Sequence, residues 1–208
     1  MKDKTQRYDR EYYRGRNSNY IFWYSNLRFR IFWRRRIRFL SKIADSGRLL
    51  DIGCAFGFFI KFLEKDFDVY GVDIAEYAVA RARQILTSPE RVKIFDIQSG
   101  IPFKEKFDVI TAFDIMEHIV RPLPVFEILY SMLERHGYLY MEVPLKDTLI
   151  NRDVGHHYRP LHEWTDLLKE AGFEPRSVQT YYTIGFRSVM ISTERFINYC
   201  SIIAHKLD

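Results

Sequence analysis

The residues best suited to chemistry lie where a buried strand runs into a turn of small side chains. Leu49-Leu50-Asp51-Ile52-Gly53-Cys54-Ala55-Phe56-Gly57 predicts a strand, a tight turn and the start of a helix. Gly53 and Ala55 let a ligand approach the backbone closely, and Gly57 permits tight helix packing. Asp73 ends the second predicted strand about 20 residues later, where a carboxylate can accept hydrogen bonds from two ribose hydroxyls. The arrangement therefore predicts a site for a nucleotide-like ligand, specifically one that contains adenosine.

A dinucleotide-binding fingerprint is the first alternative for this turn. It requires a glycine or alanine at its last position, so that the helix and the pyrophosphate can come close. This chain has Phe58 there. The spacing of small residues favours a ligand without phosphates.

The same stretch resembles the first motif of the class I S-adenosylmethionine-dependent methyltransferases, acidic-x-Gly-x-Gly-x-Gly, with Ala55 at the middle glycine. The resemblance covers Leu49 to Ala171 and resumes at Ser201 to Lys206, which is similar to the last antiparallel strand of that family. It implies S-adenosylmethionine as cofactor and S-adenosylhomocysteine as product. The residues that it assigns to cofactor binding are Asp51, Gly53, Cys54, Ala55, Gly57, Asp73, Ile74, Asp96, Ile97 and Phe113.

Within that set the resemblance implies individual roles. Asp51 and Gly53 would border the methionine part of the cofactor, and Asp73 would hold the ribose. Ile74 would pack on the adenine, while Asp96 would accept from the adenine amino group and the N–H of the next residue would meet the ring. A turn residue that follows the third strand is the alternative for Asp96.

A second resemblance covers Phe107 to Ile119, which is similar to the fourth strand and following loop of small-molecule methyltransferases, including those of the ubiquinone pathway. Phe113, Asp114 and His118 would then point at the reacting methyl group, because ligands in open α/β sheets sit beyond the carboxyl ends of the strands. The segment Gly155-His156-His157-Tyr158-Arg159-Pro160 resembles the histidine-containing segment of the same group. We predict His118 and His157 as catalytic residues, since an imidazole pKa of ~6.5 suits proton transfer near neutrality.

Two other interpretations of these polar residues stay open. The Glu117-His118 pair could instead cap the next helix. The histidines also suggest a metal site, but no cysteine accompanies them and no short spacing links His118 to the others, so we predict no metal.

The alternation of β-rich runs with helical patterns after Arg48 predicts an α/β fold. We expect a Rossmann-like, doubly wound sheet of seven strands, mostly parallel with an antiparallel last strand. Residues 1–45 would form a helical N-terminal extension or lid, and residues 46–208 the methyltransferase domain, with a helical insertion at about 184–197. Predicted strands are Arg48 to Ile52, Asp68 to Val72, Arg91 to Phe95, Phe107 to Phe113, Tyr138 to Val143, Glu174 to Tyr182 and Tyr199 to Lys206.

Composition and charge bound the location and the partners. Two cysteines and no secretory signal favour a reducing cytoplasm. The net charge of +5 is concentrated in Tyr20 to Leu40, where arginines and aromatic side chains interleave. Such a segment is typical of a solvated basic face, of peripheral contact with an anionic membrane, or of nucleic-acid binding, the last being the weakest fit. Tyr12, Tyr13 and Arg28 are additional candidates for contact with the carboxylate of the cofactor.

The sequence thus favours methyl transfer to a small-molecule, lipid-linked or sugar-linked acceptor. Methyltransferases that act on amino groups of nucleic-acid bases or of glutamine carry Asn or Asp followed by Pro-Pro and an aromatic residue after the fourth strand, and Asp114 is followed here by Ile115-Met116. An RNA methyltransferase and a non-catalytic module that binds the donor are the alternatives. The oligomeric state is not predicted.

Overall fold

The computed structural model describes residues 8–13, 26–146, 155–184, 187–190 and 198–207. The chain divides into two compact units, Met1–Glu105 and Lys106–Asp208. Each unit contains one group of hydrogen-bonded strands with its own helices.

The described residues of the first unit form three parallel strands, β1 (Gly47–Ile52), β2 (Phe67–Asp73) and β3 (Val92–Ile94). They lie in the order β3-β2-β1. The helices are α1 (Arg10–Tyr13), α2 (Asn26–Leu40), α3 (Phe58–Leu63) and α4 (Glu76–Ile85), with single 3-10 turns at Pro89–Arg91 and Ile97–Ser99. The last four residues of β1 are all buried, as expected for a parallel strand that is covered on both faces.

The N-terminal extension was predicted to be mostly helical, and most of its described residues lie in α1 and α2. Residues 14–25, which include part of the basic aromatic segment, lie outside the described residues. No helix in the described ranges is long and apolar enough to cross a membrane.

In the part of the second unit that the structure describes, the strands are β4 (Phe107–Phe113), β5 (Leu133–Pro144), β6 (Glu174–Ile184), β7 (Arg187–Met190) and β8 (Tyr199–His205). These five strands lie in the order β4-β5-β8-β6-β7. The helices are α5 (Pro122–Met132) and α6 (Leu161–Glu170), and a 3-10 turn spans Met116–His118. β4 and β5 pair in parallel, whereas β8 lies antiparallel to both β5 and β6, which confirms the predicted antiparallel last strand.

The predicted helical insertion at 184–197 is wrong where the structure describes it. Arg187–Met190 form β7, which pairs antiparallel with the end of β6, from Tyr181↔Met190 to Ile184↔Arg187. Pairing gives backbone partners to the edge of β6, which a helix would leave exposed. The described residues thus contain eight strands instead of seven, and 191–197 lie outside them.

Candidate active site

The predicted small-residue turn follows β1 directly and is tied to β2. The N–H groups of Gly53 and Cys54 donate to the carbonyl of Val72 at 2.8 and 3.1 Å. Gly53, Ala55 and Gly57 all have positive φ, of 71, 47 and 71°. A left-handed conformation costs a residue with a Cβ roughly 1–2 kcal/mol, so Ala55 is held there by its surroundings.

The Asp73 side chain also restrains that turn. One carboxylate oxygen accepts from the N–H of Ala55 at 2.8 Å, and the other accepts from the N–H of Ala75 at 2.8 Å. Burial raises the pKa of the Asp73 carboxyl, while backbone N–H groups, first that of Ala75 and then those of Ala55 and Ile74, act in the opposite direction. A carboxylate offers about four lone-pair positions, so capacity remains for further donors such as ribose hydroxyls.

Gly57 packs the helix that follows the turn, as predicted. A Cβ added to Gly57 would stand 3.1 Å from the Cβ of Ala82 and 3.1 Å from Cδ1 of Leu86. A glycine is therefore needed where α3 begins beside α4.

Cys54 has a packing role in the same turn. A Cβ at Gly71 would stand only 2.8 Å from the Cys54 sulfur, so the thiol fills the space above β2. Burial, followed by the charges of Asp73 and Asp51, raises the pKa of this thiol well above its usual value. The thiol stays protonated and serves as a small apolar group.

The remaining predicted cofactor residues in the first unit border the same strand ends. Asp51 is buried at the end of β1, and Ile74 is half-buried directly after β2. Asp96 caps the 3-10 turn that follows β3 by accepting from the N–H of Gln98 at 3.0 Å, and Ile97 is buried. The turn role considered for Asp96 is therefore present, and the predicted adenine contact stays a prediction.

Helix α1 covers the small-residue turn with aromatic side chains. Tyr12 and Tyr13 are buried in a cluster with Ala75 and Ala78, against which Ala55, Phe56, Tyr77 and Tyr8 also pack. The rings of Tyr13 and Phe56 stand 4.8 Å apart. The side chain of Asp9 begins the helix by accepting from the N–H groups of Glu11 and Tyr12, both at 2.9 Å. Helix α1 thus packs against the turn that we predict to hold the cofactor.

In the second unit, a sharp turn follows β4. Phe113 is buried and its ring meets that of Tyr140 edge to face at 4.9 Å. Asp114 has a φ of 59°, and its N–H donates to the carbonyl of Glu142 at 3.0 Å. The Glu142 carboxylate, fully buried in β5, accepts from the hydroxyls of Tyr140 at 3.0 Å and Ser201 at 3.2 Å. Sequence reasoning missed this group, although one glutamate in the apolar run Tyr138 to Val143 was a signal.

Beyond that turn, the structure brings together Glu117, His118 and His156. Each offers one potential ligand atom, and these atoms lie within 4.8 Å of one another. The two imidazole rings meet edge to face with centroids 4.4 Å apart, and Glu117 is buried. The sequence predicted His118 and His157 as catalytic residues, and the imidazole that contacts His118 is that of the adjacent His156.

His157 contributes through its backbone. Its N–H donates to the Glu117 carbonyl at 2.6 Å, which holds the loop against the 3-10 turn. Arg159 adds a second tie, because its guanidinium donates to the carbonyls of His157 at 3.1 Å and Val120 at 2.8 Å. A catalytic role for the His157 ring stays a prediction.

Comparison with known proteins defines the class. Residues 25–178 match a protein family described as a methyltransferase domain. The match covers well over half of the chain, so the chain belongs to the methyltransferase-domain family and is an S-adenosylmethionine-dependent methyltransferase of class I. A search of curated proteins found no match.

Solved structures show the same Rossmann-like fold. An S-adenosylmethionine-dependent methyltransferase from Mesorhizobium loti is 14% identical with a TM-score of 0.67, covering 84% of this chain and 98% of its own. A second, from Clostridium acetobutylicum ATCC 824, is 14% identical with a TM-score of 0.65, covering 88% and 92%. The [4+2]-cyclase SpnF is 17% identical with a TM-score of 0.64, covering 83% and 80%.

The residues of the first unit fit the cofactor that the family uses. Asp73 holds a buried carboxylate at the end of β2, which suits the two hydroxyls of a ribose. In the turn that ends at Gly57, small side chains allow a ligand to approach the backbone at the ends of β1 and β2. S-adenosylmethionine is the cofactor, with Asp73 as the best-supported of its predicted contacts.

Proposed function

We propose that this enzyme transfers the methyl group of S-adenosylmethionine to a small-molecule, lipid-linked or sugar-linked acceptor. The observation that carries the proposal is the grouping of His118 and His156 with Glu117 directly after β4. These side chains can orient an acceptor or accept its proton, and they are not the set associated with amino groups of bases.

The bound cofactor supplies an electrophilic methyl group with its own leaving group. The protein must hold the acceptor in line and exclude water, and such positioning contributes about 7–11 kcal/mol to lowering a barrier. The aromatic cover of Tyr12, Tyr13 and Phe56 supports water exclusion over the cofactor turn. A base is needed only for a nucleophile that arrives protonated, such as a hydroxyl, and His118 or His157 would then take the proton.

The first experiment identifies turnover. Purified enzyme with methyl-labelled S-adenosylmethionine is screened against fractionated cell extracts, separated into small-molecule, lipid, RNA and protein pools. Label in the small-molecule or lipid pool supports the proposal, and label confined to RNA favours the RNA methyltransferase. Stoichiometric cofactor binding without any transfer supports the binding module.

The second experiment tests His118 once an acceptor is known. His118→Ala should lower turnover at least about tenfold while cofactor affinity stays within a few-fold, because a residue acting on the acceptor contributes little to holding adenosine. His162→Ala, which changes an exposed imidazole in the first turn of α6, is the matched control. Equal loss of turnover and cofactor affinity in His118→Ala would make the residue structural.

A lipid-linked acceptor is supported by the exposed arginines of α2. Arg34 and Arg38 are exposed four residues apart and hence on one helix face. Arg36, in contrast, is buried with its guanidinium 4.6 Å from the centre of the Trp33 ring, and Trp33 packs on Phe59 at 5.1 Å. The described part of α2 therefore offers charge to a surface while its tryptophan is turned toward α3.

Vesicle binding tests this part of the proposal. Cosedimentation with anionic vesicles at low salt should be clear, and it should weaken with added salt because the screening length shortens to ~3 Å at 1 M. Joint replacement of Arg34 and Arg38 by Gln should weaken it further, at ~1 kcal/mol per charge. If the wild-type enzyme does not bind anionic vesicles at low salt, the role of α2 is limited to packing within the protein.

A further inference from the structure

The grouping of Glu117, His118 and His156 has the composition of a metal site. Two imidazoles and a carboxylate are three protein ligands, the number that leaves a coordination position open for water or substrate. Their candidate ligand atoms lie within 4.8 Å of one another. In a tetrahedral site, where each ligand atom lies ~2.0–2.2 Å from the ion, the ligand atoms would stand roughly 3.5 Å apart. Side-chain rotations that move these atoms by about 1 Å would therefore bring them to that separation.

The surroundings of His156 orient it for such a role. Its Nδ1 lies 3.0 Å from the hydroxyl of Tyr158. When that hydroxyl accepts from Nδ1–H, the lone pair of Nε2 is available to an ion. Histidines that bind metals almost always have an outer hydrogen-bond partner of this kind on the second nitrogen.

The backbone also fixes the two halves of the group relative to each other. The bond from the His157 N–H to the Glu117 carbonyl measures 2.6 Å, and Arg159 bridges the carbonyls of His157 and Val120. The chain directly after His156 is therefore held at two points, His157 and Arg159, against the 3-10 turn that carries Glu117 and His118 and the residue Val120 just beyond it. These contacts keep His156 close to the other two candidate ligands.

We propose that Glu117, His118 and His156 bind one divalent transition-metal ion, with Tyr158 as the outer partner of His156. Imidazole suits zinc, iron, copper and nickel, whereas magnesium prefers oxygen ligands, so zinc is the probe that matches this donor set. Two nitrogen ligands to one carboxylate make magnesium the poorer fit. Binding of the ion does not depend on the function proposed above. Only the role that we assign to the ion, which is to hold an oxygen of the acceptor, rests on that proposed function.

The test is calorimetric titration of metal-free enzyme with Zn²⁺ and, separately, with Mg²⁺. We expect one Zn²⁺ per chain and a rise in melting temperature, with weaker or absent Mg²⁺ binding. The two cysteines do not compete for the probe, because both are buried and burial is the main cause of the raised pKa of each thiol. S-adenosylhomocysteine binding and far-UV circular dichroism are measured on every variant to establish that it folds.

Variants locate the ion. Glu117→Gln and His156→Ala should abolish stoichiometric Zn²⁺ binding, and Tyr158→Phe should lower the affinity about 10–100-fold, as loss of an outer partner does. His157→Ala and His162→Ala are the matched histidine controls and should keep the wild-type affinity. His156 and Tyr158 are only half-buried, so their variants decide the matter even if Glu117→Gln fails to fold.

Three outcomes overturn the proposal: no stoichiometric Zn²⁺ binding, binding that survives in His156→Ala, or tighter binding of Mg²⁺ than of Zn²⁺. None of them affects the proposed function, which fails separately if S-adenosylmethionine does not bind or no methyl transfer is found. If His118→Ala lowers turnover and removal of the metal from the wild-type enzyme with a chelator lowers turnover equally, His118 acts as a ligand of the ion. Loss of turnover in His118→Ala with no effect of chelation makes it a base or an acceptor contact and overturns the assigned role of the ion.

Discussion

Replacing Asp73 by asparagine changes one atom of the carboxylate that links the turn after β1 to the end of β2. In the wild type, each oxygen of this group accepts from a different backbone N–H, those of Ala55 and Ala75, both at 2.8 Å. An asparagine has one oxygen and one NH₂ group. In Asp73→Asn the NH₂ group of the side chain must therefore face either the Ala55 N–H or the Ala75 N–H, whichever way the amide is turned, and that N–H loses its acceptor.

The magnitude follows from those two bonds. Hydrogen bonds to a charged group contribute about 1.5–3 kcal/mol, and a buried donor left without an acceptor costs about 1–3 kcal/mol. We expect Asp73→Asn to lower the free energy of unfolding by about 2–4 kcal/mol. The affinity for S-adenosylhomocysteine should fall by a further ~1–3 kcal/mol, or about 5- to 150-fold in Kd, because an acceptor for the ribose hydroxyls is lost.

Denaturant unfolding and calorimetric titration measure the two quantities separately. Asp68→Asn is the matched control, since Asp68 lies near the other end of the same strand in an exposed ion pair with Arg91, and such pairs contribute at most about 1 kcal/mol. Wild-type cofactor affinity should also fall on acidification at a pH above that of an ordinary aspartate, because burial raises the pKa of Asp73, whereas Asp73→Asn should show no such transition. An Asp73→Asn enzyme that binds as tightly as the Asp68→Asn control would refute the assignment, as would a wild type that prefers a nicotinamide dinucleotide.

Two further changes probe the first unit. Gly57→Ala should lower the free energy of unfolding by about 2–4 kcal/mol and weaken cofactor binding, because a φ of 71° is strained for alanine and the new Cβ would stand 3.1 Å from Ala82 and Leu86. The control is Gly100→Ala, which is also at positive φ but has open space around it. This control should leave cofactor affinity unchanged in the same titration. Although burial alone would raise the pKa of the Glu64 carboxyl, hydrogen bonds from Lys61 and Thr87 hold it below its ordinary value. A depressed pKa stabilises the fold above the unfolded-state pKa and loses this contribution as the pH falls through the folded-state pKa. Denaturation curves should therefore show a wild-type advantage of about 1–2 kcal/mol over Glu64→Gln at neutral pH that shrinks in acid, and an equal difference at both pH values would contradict this origin.

The cofactor half of the site was predictable because its signals are local. Gly53, Gly57 and the aspartate that ends β2 follow from the needs of a tight turn, a helix start and a ribose, each visible within one short stretch of sequence. The double use of the Asp73 carboxylate was not predictable, because Ala55 lies 18 residues away along the chain. The covering of that turn by α1 was expected only in outline, since the packing of Tyr13 on Phe56 is likewise a contact between distant residues.

The polar group of the second unit was predicted less well. Helix α5 and strand β5 lie between His118 and His156 in the sequence, so which of two adjacent histidines reaches His118 depends on how the chain after β5 is held. The bond from the His157 N–H to the Glu117 carbonyl commits the backbone of His157, and the ring that meets His118 is that of His156. The metal-site interpretation of the sequence counted only histidines as ligands and left out Glu117, which directly precedes His118 and belongs to the same group.

The wrong helical insertion has a comparable cause. Mixed apolar and polar spacing over 184–197 is compatible with a helix when the segment is considered alone, but β6 continues to Ile184 and presents an open edge. Arg187–Met190 pair with that edge, and the backbone hydrogen bonds gained there decide the local structure over four residues.

The likeness to a [4+2]-cyclase shows that this fold can carry a reaction other than methyl transfer, so the acceptor chemistry must be argued from side chains and not from the fold. In this chain the turn tied by Asp73 is sufficient reason to expect the cofactor, but it places no constraint on the nucleophile. We propose that this constraint comes from Glu117, His118 and His156, whose composition suits an oxygen nucleophile if an ion is held there and a wider range of nucleophiles if the imidazoles act alone. Measuring zinc binding before any acceptor is known therefore helps to choose the acceptors to be screened, because a bound zinc ion lowers the pKa of a coordinated hydroxyl or thiol but occupies the lone pair with which an amine would attack.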